Sequence, residues 1–273
     1  MTGSPADKTW DRRLQRANEL AAAYPFATEG LRFYERIAGF QKSLYAALAP
    51  GNGKAQTARP PGSLRDELDL FFLLPRFSTF LAFVESIAPS PLAQSAAALS
   101  GEGGLRWEAV LDEFWRSGAQ GMLTEPEALL SWTFLQPYAE YLARHTEPPE
   151  IQGTPAVCPL CACRPQVGVL RPLGDGAKRS LICSLCATEW DYRRLVCPAC
   201  GEESVDKLPI YVAEELPHVR VEACDTCHCY IKTIDLTKDG LAIPVVDELA
   251  AIPLSLWAAE HEYTKVSTNL LGI

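Results

Sequence analysis

The amino-acid sequence predicts an α+β protein: an all-helical N-terminal domain, two tandem metal modules and a short C-terminal helical segment. Two observations carry this. Between Trp10 and Leu142 the apolar side chains recur at three- and four-residue steps, with no sustained alternation, which is the period of helices. From Cys158 to Cys229 the chain instead carries four CxxC pairs separated by 21, 10 and 23 residues, and all ten cysteines of the 273-residue chain fall within these 72 residues. The expected divisions are 1–147 (helical), 148–157 (a polar, proline-bearing linker), 158–196 (first module), 197–243 (second module) and 244–273 (C-terminal extension).

Trp10, Leu14, Ala17, Leu20, Ala21 and Tyr24 form one stripe of a first helix, with Arg12, Arg13 and Arg16 largely off it. Pro25 ends that helix. A second runs from Thr28 to Leu48, with Leu31, Tyr34, Ala38, Gln41 and Tyr45 on one face. Gln41 there reads either as a buried, satisfied polar group or as part of a binding cleft. Residues 50–63, dense in Gly and Pro, predict a mobile loop. Leu64 to Ile87 is helical, kinked or divided at Pro75, and Phe71, Phe72, Phe77, Phe80 and Phe83 are expected in the core.

An alanine-rich segment follows Pro89 and Pro91, and Leu105 to Ser117 is another helix, grouping Val110, Leu111, Phe114 and Trp115. Thr124-Glu125-Pro126-Glu127 is a capping box with proline in the first turn. It opens a helix through Leu142 that Gln136-Pro137 is expected to bend. His145 is isolated and reads as a surface residue. No P-loop, HExxH or glycine-rich dinucleotide fingerprint occurs in this half.

Two residues between thiolates let both sulfurs of a tight knuckle face one tetrahedral ion. One CxxC is weak evidence, since redox motifs share it. Four at these spacings make two copies of CxxC–loop–CxxC, with first knuckles starting 39 residues apart and second knuckles 41 apart. The repeat favours sequential pairing: Cys158, Cys161, Cys183 and Cys186 on one ion, Cys197, Cys200, Cys224 and Cys227 on the other. An interleaved cross-brace is the alternative at this point. Four thiolates suit zinc or iron equally. Cys163 and Cys229 each extend a knuckle to CxxCxC and read as spare thiols, alternative ligands, a redox feature or small buried residues. His228 is a substitute-ligand candidate, and His218 reads as structural or exposed.

Short strands are expected at Val167–Leu170, Ile210–Ala213, Val219–Glu222 and Tyr230–Leu236, with Ser180–Ile182 leading back to the second knuckle and Trp190 and Tyr192 able to shield a metal site from water. The helical pattern from Glu248 to Glu262 is limited by Pro253. Asp247, Glu248, Glu260 and Glu262 are expected to face solvent. The final STNLLGI either docks or frays.

The formal net charge is −9, unevenly spread. Residues 1–155 hold 14 basic and 18 acidic groups, whereas 201–273 hold 5 basic and 13 acidic. The acidic C-terminal third disfavours nucleic-acid binding, which draws on phosphate neutralisation. The N-terminus lacks a signal-peptide pattern. The apolar stretch Leu68–Ile87 is broken by Asp69, Pro75, Arg76 and Glu85, a poor membrane span. A cytoplasmic location is therefore expected, without stable membrane insertion, and clustered cysteines there favour metal over disulfides.

The run CPLC…CSLCATEWDYRRLVCPACG…VEACDTCHCYIKTIDL resembles the formate dehydrogenase accessory protein family FdhE. Further echoes are Arg220-x-Glu222-x-Cys224, Tyr230-x-Lys232 and Val246-Asp247-Glu248-Leu249-Ala250, with Arg13-Leu14 and Phe40-Gln41 in the helical half. The resemblance implies a helical domain followed by two rubredoxin-like modules, with the eight CxxC cysteines as metal ligands and iron as the favoured ion. It implies a cytoplasmic, non-catalytic role in assembling respiratory formate dehydrogenase, with the immature catalytic subunit as partner before export. Cys163 and Cys229 depart from the family pattern. An iron-dependent redox protein is the rival reading, a zinc-ribbon nucleic-acid binder is disfavoured, and homo-oligomerisation is left open.

Overall fold

The computed structural model describes residues 5–48, 64–66, 68–118, 121–147, 149–150 and 153–272. Among the described residues six α-helices come first: α1 (Pro5–Ala23), α2 (Thr28–Leu48), α3 (Leu70–Ile87), α4 (Ser90–Glu102), α5 (Gly104–Ser117) and α6 (Glu125–Arg144). Seven strands and two helices follow: β1 (Pro165–Leu173), β2 (Gly176–Cys183), β3 (Glu189–Asp191), β4 (Ile210–Val212), β5 (Val219–Cys224), β6 (Cys229–Asp235), α7 (Pro244–Ala250), α8 (Ile252–Glu260) and β7 (Thr264–Lys265). The expected loop at 50–63 and part of the 148–157 linker lie outside the described residues.

The chain packs as two compact units, one of Arg36–Pro148 and one of Met1–Glu35 with Pro149–Ile273. This departs from the 1–147 helical division, because α1 packs on α7 and belongs with the cysteine-bearing half. The physical reason is Arg16. It leaves the solvent side and donates from Nε to Asp247 Oδ2 at 3.0 Å and from Nη2 to Asp239 Oδ2 at 2.7 Å.

In the helical unit, Phe77 and Phe80 pack their rings on Phe134 at 4.9 and 5.4 Å, and Phe40 meets Phe80 at 5.3 Å. Phe71 is 95% exposed, contrary to expectation, and half-buried Phe72 lies under the Arg76 guanidinium. α3 runs unbroken through Pro75, which sits in the second turn and so removes a single early hydrogen bond. Among the described residues α3 is the one helix long and apolar enough to cross a membrane, yet Leu73, Phe77, Phe80, Leu81 and Val84 are buried within the unit. The Thr124–Glu127 capping box forms as expected. His145 is half-buried and caps α6, its Nδ1 2.7 Å from the Tyr141 carbonyl.

α6 also continues through its proline, Pro137. Proline has no N–H to give the Thr133 carbonyl four residues back. Gln41, 2% exposed on α2, fills that place: its Nε2 donates to Thr133 O at 2.7 Å and to Gln136 Oε1 at 3.0 Å. Gln41 is thus the buried, satisfied polar group of the two sequence readings.

In the other unit all seven strands form one sheet, ordered β3-β2-β1-β6-β5-β4, with β7 pairing β6. The two tandem modules therefore share one sheet. The joint is the parallel pairing of β1 with β6, where Gly168 faces Thr233, Val169 faces Ile234 and Leu170 faces Asp235. Glycine is required at this joint, since a Cβ on Gly168 would collide with Thr233 Oγ1 and lie 3.2 Å from its Cβ. One sheet face buries Val167, Val169, Val219, Val221 and Ile234 against Leu254 and Ala258 of α8. The predicted C-terminal helix is two helices that break at Ala251, just before Pro253. The final segment docks, with Asn269 fully buried.

Replacing Gln41 with Leu removes the donor to Thr133 O and leaves that carbonyl buried without its partner. We expect a loss of about 1–3 kcal/mol in urea unfolding, the cost of one unsatisfied buried group, with the m-value unchanged.

Candidate metal centres

Each knuckle is a turn closed by its own backbone. The N–H of Ala162 donates to Cys158 O at 2.9 Å, that of Gly201 to Cys197 O at 3.0 Å and that of His228 to Cys224 O at 2.8 Å. The residue after the second cysteine is left-handed in all four knuckles: Ala162 (φ 59°), Ala187 (φ 55°), Gly201 (φ 80°) and His228 (φ 54°). Three of these are not glycine, at a cost of roughly 1–2 kcal/mol each. The turn also aims N–H groups at sulfur. Leu185 and Cys186 donate to Cys183 Sγ at 3.4 and 3.5 Å, and Ala199 donates to Cys197 Sγ at 3.4 Å. Such donors favour the thiolate that metal binding requires.

The knuckles meet in the sequential pairing. Cys158, Cys161, Cys183 and Cys186 form one group and Cys197, Cys200, Cys224 and Cys227 the other, with all four sulfurs of each within 4.8 Å of one another. In the first, Cys158–Cys186, Cys161–Cys183 and Cys161–Cys186 are 3.5, 3.3 and 3.6 Å apart. In the second, Cys197–Cys227 and Cys200–Cys224 are both 3.7 Å apart. An ion ~2.3 Å from four tetrahedral sulfurs sets them ~3.8 Å apart, so the donor geometry fits. Both tetrads are capable of coordinating a metal ion, and four sulfur donors with no oxygen or imidazole suit zinc or iron. The cross-brace is not the arrangement found.

Four thiols packed this closely resist ionising together. Burial pushes Cys183 up, and burial likewise pushes Cys197 up to about 11. Cys158 is driven the other way, because Cys161, Cys183 and Cys186 hydrogen-bond its sulfur. A divalent cation eases this conflict by coordinating all four sulfurs, its two positive charges offsetting half of the four negative ones.

The remaining candidates fall outside the tetrads. Half-buried Cys163 stands outside the four-sulfur group, and its thiol acts on Cys161 and Cys183, raising both. Half-buried Cys229 pairs across the strands with Cys224, and its N–H serves the Cys227 sulfur. His228 occupies the left-handed knuckle position, is exposed, and is not among the ligand atoms of either group. Trp190 and Tyr192 are buried as expected. Trp190 Nε1 donates to Pro155 O at 2.9 Å, and Tyr192 Oη donates to Cys197 O at 3.3 Å.

Arg179 on β2, which the sequence reading passed over, positions the second tetrad. Its buried guanidinium pairs with Glu222 on β5 at 2.5 Å and donates to the carbonyls of Arg193 and Val196 at 2.8 and 3.2 Å, immediately before Cys197. Asp247 and Glu248, expected in solvent, are 1% and 0% exposed. Their partners explain this. Asp247 accepts from Arg16 and from the Ile243 N–H at 2.7 Å, and its Oδ1 lies 2.9 Å from His218 Nε2. His218, Asp239 and Asp247 could by proximity hold an ion, but the Arg16 guanidinium already bridges the two carboxylates.

Glu248 pairs with fully buried Lys232 at 2.9 Å and with Lys265, and accepts from Asn269 at 3.1 Å and Gln166 at 3.3 Å. Lys232 also donates to the carbonyls of Glu248 and Ala251 at 2.7 and 3.3 Å. Burial by itself would raise the Glu248 carboxyl, but the two lysines hold it at about 2. Burial prevails at Lys265, which is pushed down to about 8 despite its bond to Glu248.

Two family models match this half: "FdhE, central domain" over residues 157–194 and "FdhE, C-terminal domain" over residues 195–271. An FdhE homolog of Aquifex aeolicus is 41% identical over 117 residues, which is 42% of this chain and 41% of that protein. One from Stutzerimonas stutzeri is 38% identical over 119 residues, 42% of this chain and 38% of that one. The matched stretch thus spans about two fifths of the length of these curated relatives. The crystal structure of the FdhE protein from Pseudomonas aeruginosa superposes with a TM-score of 0.76, at 24% identity, over 98% of this chain and 97% of that one, a likeness of fold.

The buried carboxylate yields a pH test. Glu248 has a folded pKa of about 2 against an ordinary 4.5, so its stabilisation is complete above the ordinary value and is lost as pH falls from there through about 2. We expect Glu248→Gln to lose about 3–5 kcal/mol at neutral pH, the cost of stranding buried partner charges. The gap in denaturant midpoint to the parent narrows as pH falls below the ordinary carboxyl range. A gap that stays constant with pH contradicts this assignment.

Proposed function

On the premise that residues 157–271 belong to the FdhE family, we propose that this chain is a cytoplasmic accessory protein in the assembly of respiratory formate dehydrogenase. It binds the immature catalytic subunit before export and has no turnover of its own. The observation that carries this reading is the pair of four-sulfur tetrads, set on one sheet within the stretch that the FdhE models cover.

Cys158, Cys161, Cys183 and Cys186 hold one ion and Cys197, Cys200, Cys224 and Cys227 the other, with iron the native metal and zinc able to fill the same sites. A bound ion offsets part of the thiolate charge and cross-links two knuckles. The chain's own residues do the rest. Left-handed turns present the sulfurs, Arg179 holds the second pair of knuckles against the first module, and the Glu248 network fixes α7 to the sheet. The loops between knuckles are thereby held in one arrangement for a partner to recognise.

Anaerobic purification of the native complex, with mass spectrometry of what accompanies the chain, tests this directly. We expect a formate dehydrogenase catalytic subunit, retained when the sites carry redox-inactive zinc. Its absence in cells expressing that subunit contradicts the assembly reading. Binding that requires iron and is lost with zinc supports the redox alternative. Replacing both Cys158 and Cys161 with Ser should lower the metal content by about one ion per chain, each tetrad holding one ion.

A further inference from the structure

The two tetrads are built from the same turn but differ in cover. All four cysteines of the first are buried. The third position of each of its knuckles is leucine, and Leu160 and Leu185 are 5% and 2% exposed. Trp190 closes the same module, 3% exposed and tied to the Pro155 carbonyl. In the second tetrad, Cys197 and Cys224 are buried, Cys227 is half-buried and Cys200 is exposed. There the third positions are Ala199, half-buried, and Thr226, exposed. Neither side chain is large enough to roof a sulfur. The hydrophobic shell around a metal site controls solvent access and ligand exchange, so the two sites differ in kinetics by construction.

We infer that the first tetrad is a locked structural centre and the second an exchange centre, where an external thiol reaches the ion and Cys200 is the ligand displaced. This rests on the metal assignment above. The step involves no redox change: the incoming thiol gives its proton to solvent and its sulfur binds the ion, while the Cys200–metal bond breaks and the Cys200 thiolate takes up a proton. The buried pair Cys197 and Cys224, with Cys227, retains the ion throughout. The occupant is thus a small or flexible sulfur donor approaching from the Cys200 side.

The test uses the full chain loaded with zinc, a chromophoric chelator as acceptor and 2-mercaptoethanol as the thiol probe. Unfolding the loaded protein in denaturant first counts the ions. Fewer than two per chain overturns the metal assignment itself. With two ions present, we expect release in two phases of equal amplitude, the faster by roughly 10–100-fold, the range that altered outer shells produce. Added 2-mercaptoethanol should accelerate the fast phase alone. Brief iodoacetamide treatment, mapped by mass spectrometry, should label Cys200 before any cysteine of the first tetrad. Installing the missing roof with Ala199→Leu and Thr226→Leu should slow the fast phase toward the slow one. With two ions bound, a single release rate, no thiol acceleration, or first labelling in the Cys158–Cys186 group overturns the inference and leaves the metal assignment standing.

Discussion

Eight sulfurs drawn into two groups, with contacts of 3.3–3.7 Å, are the constraint on which the C-terminal half depends. Without a cation, each group carries thiols that resist ionising together, six of the eight of them buried. With one, each ion ties two knuckles from the ends of a hairpin and closes a loop of 21 or 23 residues. Modules this small bury too little apolar surface to offset chain entropy alone, so metal ligation would contribute folding energy. The left-handed knuckle residues fit this picture, since their local cost is tolerable where ligation over-determines the turn.

What a bound ion would do within each module, α7 does for the unit as a whole. Its adjacent acidic residues point to different tasks. Asp247 gathers Arg16 from α1 and His218 from the loop before β5, while Glu248 gathers Lys232 of β6, Lys265 of β7, Asn269 and Gln166. Each of these contacts joins segments that hydrophobic burial would leave free to slide. Removing a single partner strands a charge in the interior, which is why such a cluster acts as a set rather than as separate bonds. The fusion of β1 to β6 at Gly168 completes the same logic, because it turns two metal modules into one sheet.

Much of this was legible in the sequence because the signals are local. Two residues between cysteines, a Thr-x-x-Glu cap and a 3.6-residue apolar stripe each dictate structure within a turn or hairpin, so the tetrads, the start of α6 and the limits of α2 emerged as expected. The misses are long-range. Asp247 and Glu248 read as solvent-facing because a buried charge is identified by its partners, and Arg16 lies 231 positions from Asp247. Gln41 was ambiguous for the same reason, since the carbonyl it serves was orphaned by a proline far along the chain. The parallel β1–β6 joint left one trace, a glycine in a strand otherwise rich in branched residues, and that signal alone does not name a partner. Phe71 shows the limit of composition: apolar residues cluster in α3, but the helix period puts this one on the outer face.

X-ray absorption at the metal edge of the purified, fully folded chain, combined with metal quantification, tests the central claim most directly. The account predicts two ions per chain, each in an all-sulfur four-coordinate shell at ~2.3 Å. A first shell containing nitrogen or oxygen donors, or one ion or none in a chain that remains folded, would contradict it.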